Sequence, residues 1–135
     1  MIDAAEVLEP ENEAALTQSL AQLETDTLVQ LVVVTTPDLL GYDISDYSRM
    51  LGNAWGIGDA ERNDGLLIVV APNERKVRIQ VGLGLESTVT DEEARKIIET
   101  GILPAFGRGD YSAGISEGVE RLLVEVSQPE LREAA

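Results

Sequence analysis

Two uninterrupted apolar runs constrain this chain more than anything else in it: Leu31-Val32-Val33-Val34 and Leu66-Leu67-Ile68-Val69-Val70-Ala71. Each is short and rich in β-branched residues, and neither contains a polar position. A strand that alternates can leave one face in water, whereas a strand without alternation has to be covered on both. The segment between the runs supplies one cover. Asp43 can cap a helix in which Ile44, Tyr47, Leu51 and Trp55 recur at helical spacing until Gly56 and Gly58 break it.

The remaining segments fall into place around this unit. From about Pro10 to Glu24, Leu16, Leu20 and Leu23 share one helical face, with Pro10 suited to the first turn. After the turn Pro72-Asn73-Glu74, Val77, Ile79 and Val81 alternate with Lys76, Arg78 and Gln80, so this third strand is expected to be antiparallel to the second and covered on one face only. Thr90-Asp91-Glu92-Glu93 has the spacing of a capping box and opens a helix carrying Ala94, Ile97, Ile98 and Ile102, which Pro104 and Gly107 are expected to disrupt or end. Asp110 can cap a last helix with Tyr111, Ile115, Val119, Leu122, Leu123 and Val126 inward. The order α, β, α, β, β, α, α predicts a Rossmann-like, three-layer α/β/α sandwich around a small mixed sheet. Residues 1–127 read as one domain and residues 128–135 as a polar tail or linker stub.

Composition removes most chemistries. The chain has no cysteine and no histidine, which excludes thiol nucleophiles, Ser-His-Asp triads and zinc fingers. Twenty-five acidic residues against ten basic ones give a net charge of −15, which repels nucleic acid and draws divalent cations towards the surface. No apolar run approaches the roughly 18 residues of a transmembrane helix, so no direct membrane span is expected in this chain. Hard oxygen donors are what remains.

Topology gathers those donors at two rims. The strand at Leu66 begins just after Asn63-Asp64-Gly65, and its antiparallel partner ends at Gly82, a few residues before Glu86 and Asp91. Asn63, Asp64, Glu86 and Asp91 are therefore expected on one rim, where Ca2+ would find carboxylate, amide and backbone oxygens at roughly 2.3 to 2.6 Å, and Mg2+ would use fewer of them and keep its waters. Each has a plainer reading as well: Asn-Asp-Gly is good turn chemistry, and Asp91 suits a helix N-terminus. The opposite rim, at the carboxyl ends of the parallel strands, offers Thr36, Asp38 and Asp110 as second candidates.

The motifs Trp55-Gly56-Ile57-Gly58, Asn63-Asp64-Gly65, Val81 to Glu86, Val89-Thr90-Asp91, Pro104-Ala105-Phe106, Gly109-Asp110-Tyr111 and Gly114 to Gly118 together resemble the TPM domain from about Leu8 to Val126. Many members read Asp-Asn-Gly where this chain has Asn63-Asp64-Gly65, which shifts the carboxylate by one position. The resemblance implies an α/β/α sandwich exposed outside the cytoplasm, periplasmic or at the cell surface, in a parent protein often tethered to a membrane. It also implies divalent-cation binding and a part in assembly or repair of membrane complexes, including photosystem II, with chaperone-like behaviour towards client proteins.

An acid phosphatase activity is also associated with the family. The residues present would support it only weakly: with no histidine, cysteine or Asp-x-Asp pair, hydrolysis would require metal-activated water. Arg75, Lys76 and Arg78, the densest basic cluster, read as protection of an exposed hairpin edge.

Overall fold

The computed structural model describes residues 2–27, 30–55, 65–82, 85 and 89–126. Within these, four strands form one sheet in the order β1 (Ile2–Asp3), β2 (Gln30–Thr35), β3 (Gly65–Ala71), β4 (Lys76–Val81). β1 and β3 both run parallel to β2, with Leu31 beside Leu66 and Val34 beside Val69, and β4 returns antiparallel with Ile79 opposite Ile68. The mixed α/β sheet and its antiparallel hairpin agree with the sequence pattern.

The absence of polar positions in β3 has the expected cause, since every residue from Gly65 to Ala71 is buried. Leu66, Ile68 and Val70 face the larger core, which they build with Leu16 and Leu20 of α1 (Pro10–Thr27), Ile97 of α3 (Asp91–Ile97) and Ile115 and Leu122 of α5 (Tyr111–Val126). Leu67 and Val69 point the other way, against Ile44, Tyr47 and Leu51 of α2 (Ile44–Trp55). The β1–α1–β2 and β2–α2–β3 connections step the same way across the sheet but run over opposite faces, so they cannot share one hand.

β1 itself carries no periodicity that sequence could reveal. Its hold is long-range: Asp3 Oδ1 accepts from the Thr35 hydroxyl at 2.6 Å and from the Val7 N–H at 3.0 Å, and Oδ2 accepts from the Leu8 N–H at 2.9 Å. Thr35 is fully buried, so the carboxylate satisfies a hydroxyl that water cannot reach.

One expectation needs correction. Arg78 does not stand clear of the protein; it is half-buried, because α2 packs over β4 as well as β3, and its Nε is buried without a partner among the described residues. As expected, the helix that Thr90 caps ends at Gly107 and is disrupted beside Pro104. Ahead of it the helix widens into a π turn over Ile98–Ile102, where the Leu103 N–H bonds the Ile98 carbonyl. Pro104 then lies in the first turn of α4 (Leu103–Gly107), a place where its missing N–H costs nothing.

Glycine explains how tightly this segment sits on α5. A Cβ on Gly114 would stand 2.5 Å from Phe106 Cε1 and 2.9 Å from the Ile102 carbonyl oxygen, and one on Gly118 would stand 2.7 Å from Ile102 Cδ1. All three distances are below van der Waals contact. The Gly114 to Gly118 motif is a packing seam.

Candidate functional site

The first candidate rim lies where β3 begins and β4 ends. The Gly82 N–H donates to the Gly65 carbonyl at 2.8 Å, setting the chain that leaves β4 beside the chain that enters β3. Two further turns, Leu85 N–H to Gly82 O at 2.9 Å and Val89 N–H to Leu85 O at 2.7 Å, carry the backbone to Thr90 with Leu85 and Val89 buried beneath it. Thr90 then closes its capping box: its hydroxyl accepts from the Glu93 N–H at 3.1 Å, and Glu93 Oε1 accepts from the Thr90 N–H at 3.4 Å.

That box leaves Asp91 out. Its carboxylate is exposed in the first turn of α3, where it suits the helix N-terminus, and among the described residues it makes no hydrogen bond or ion pair. Asn63, Asp64 and Glu86 lie outside the described residues, and among the described residues no group of three or more acidic side chains could hold a metal ion.

On the opposite rim the candidates are committed to local structure. The Thr36 hydroxyl donates to the Asp38 carbonyl at 2.9 Å and accepts from the Tyr47 hydroxyl at 3.3 Å, so Thr36 and Asp38 are neighbours. Asp38 Oδ1 accepts from the Leu40 N–H at 2.8 Å, closing a turn that places Leu40 at a positive φ of 57°. Asp110 caps α5 through its Oδ1, which accepts from the Ala113 N–H at 3.0 Å. Asp3 belongs to this rim too. Sequence reasoning missed it because its partner Thr35 is 32 positions away, and no local pattern announces such a bond.

A cavity of about 300 Å³ opens on the same side of the sheet, lined by Pro72 and Arg75 from the β3–β4 turn and by Leu103, Phe106, Gly107 and Tyr111. The rings of Phe106 and Tyr111 pack 4.8 Å apart with a 52° tilt. The Asn73 side-chain amide donates to the Pro37 carbonyl at 2.8 Å, tying the turn that carries Arg75 to the loop after β2. This cavity joins segments far apart in sequence, and only the fold reveals it.

Comparison with known proteins gives the arrangement a context. The family model described as the TPM domain matches residues 1–124. The solution structure of the N-terminal domain of a protein from P. gingivalis is similar at TM-score 0.86 and 31% identity, over 93% of this chain and 80% of that one. The BA42 protein of the psychrophilic bacterium Bizionia argentinensis shares the fold at TM-score 0.76 and 20% identity, over 91% of this chain and 83% of that one. So does the N-terminal domain of cg2496 from Corynebacterium glutamicum, at TM-score 0.72 and 18% identity, over 93% and 78%. No curated protein matches the chain.

Proposed function

The chain belongs to the TPM domain family, and from that premise we propose that it binds a divalent cation, calcium before magnesium, at the rim where β3 begins and β4 ends. The bound ion orders a surface with which the domain assists assembly, repair or quality control of other proteins. The setting we propose is extracytoplasmic, in a parent protein held at a membrane. Among the described residues no helix is long and apolar enough to cross one.

One observation supports the reading: the Gly82–Gly65 hydrogen bond sets side by side the backbone that follows Asp64 in sequence and the backbone that precedes Glu86, and among the described residues the Asp91 carboxylate has no partner. Such donors suit a hard cation, whose shell is completed by backbone oxygen and water. The −15 net charge raises the local cation concentration without choosing a place for it.

The test is a calcium titration of the metal-stripped domain followed by backbone amide NMR. Saturable shifts confined to residues 63–65, 82–86 and 91, weakened roughly tenfold or more in Asp64→Ala and Glu86→Ala, are expected. Diffuse shifts that never saturate would reduce the ion to a counterion and overturn the reading. Metal-dependent phosphate release that persists through further purification and falls in the same variants would favour a weak acid phosphatase instead.

A further inference from the structure

The basic turn after β3 does more than guard an edge. Arg75 lines the cavity described above, and among the described residues its guanidinium has no hydrogen-bond or ion-pair partner. It also sits at a positive φ of 58°, at the end of a turn closed by its own N–H on the Pro72 carbonyl at 3.2 Å. Glycine or asparagine takes that conformation easily, whereas arginine takes it at a cost. The backbone therefore holds this cation in a strained position beside a cavity of mixed polar and apolar lining.

The neighbourhood is positive in a chain that is otherwise acidic. Lys76 follows Arg75, and Arg108 follows the lining residue Gly107, with its Nη1 donating to the Pro104 carbonyl at 3.3 Å. Two carboxylates stand against these three cations: Glu74, which precedes Arg75, and Asp110, which has one oxygen engaged in capping α5. Across the cavity stand Leu103, Phe106 and Tyr111, which offer apolar and aromatic surface.

A single planar guanidinium pairs two-pronged with a carboxylate, and the carboxylates of Glu74 and Asp110, next in sequence to Arg75 and Tyr111, set the site against a doubly charged phosphate ester. About 300 Å³ lies at the small end of ligand cavities, enough for one large side chain and its carboxylate. We propose that this cavity receives the C-terminal residue of a peptide, with the α-carboxylate on Arg75 and an apolar side chain against Phe106, Tyr111 and Leu103. The proposal rests on the partner-protein half of the reading above and is independent of the cation.

The experiment titrates an acetylated tripeptide ending in phenylalanine into the domain, once in chelator and once in calcium, with amide shifts as the readout. The free-acid peptide should give saturable shifts confined to residues 72–75, 103–107 and 111, equally in both media. Amidation of its C-terminus and the exposed substitution Arg75→Gln should each weaken it roughly tenfold or more. Equal binding of acid and amide, shifts elsewhere, no saturation, or 3-phenylpropionate binding as tightly as the peptide would each overturn the proposal. A failure here beside a saturating calcium rim would leave the cation reading intact.

Discussion

The two ends of the sheet are built from similar residues and use them differently. At the carboxyl ends of β1 and β2, Asp3, Thr35, Thr36, Asp38 and Tyr47 hold one another or nearby backbone, and Asp110 caps a helix. At the other end the described backbone is joined by glycine hydrogen bonds, and Asp91 has no partner among the described residues. A carboxylate that closes a turn has already exchanged its water for protein donors and must give them up to bind an ion. Acidic residues therefore say little by number; what matters is whether their oxygens are uncommitted.

Three substitutions break or sharpen that contrast. Asp3→Ala should be the most damaging, since it removes three hydrogen bonds and leaves the hydroxyl proton of buried Thr35 without its acceptor; a loss of about 3 kcal/mol is expected in urea unfolding. A loss below about 1 kcal/mol would mean that this rim is less interlocked than its bonds suggest. Asp38→Ala should cost about 1 kcal/mol by removing one turn bond, and should leave the calcium titration unchanged. A weakened titration in that variant would move the ion to the opposite rim. Asp91→Ala should change stability by no more than about 0.5 kcal/mol, the scale of a carboxylate at an exposed helix start, yet weaken calcium measurably. Unchanged affinity would remove Asp91 from the proposed shell.

How much was legible in the sequence follows from how local each determinant is. The runs at Leu31 and Leu66 announce covered strands because burial on both faces leaves no polar position, and Thr90 with Glu93 announces a helix start because both partners lie within one turn. β1 was illegible because what holds it is a hydrogen bond between Asp3 and Thr35 rather than a pattern. The burial of Arg78 was hidden for a related reason: alternation in β4 shows which side is apolar, not that α2 extends over the polar side. Of the candidate site, Thr36 and Asp38 were placed together by adjacency in sequence, whereas Arg75 and Phe106 meet only across the fold.

The seam at Gly114 and Gly118 has a mechanical side. Phe106, a wall of the cavity beside Arg75, lies against Gly114 so closely that no methyl group fits between them, and Ile102 sits on Gly118 in the same way. The wall is thus seated on the axis of α5, whose other face is anchored in the core by Ile115, Val119 and Leu122. A ligand pressing on Phe106 would push against the whole helix and, through it, the sheet. The rigidity of that recess is set by two side chains the chain does not have.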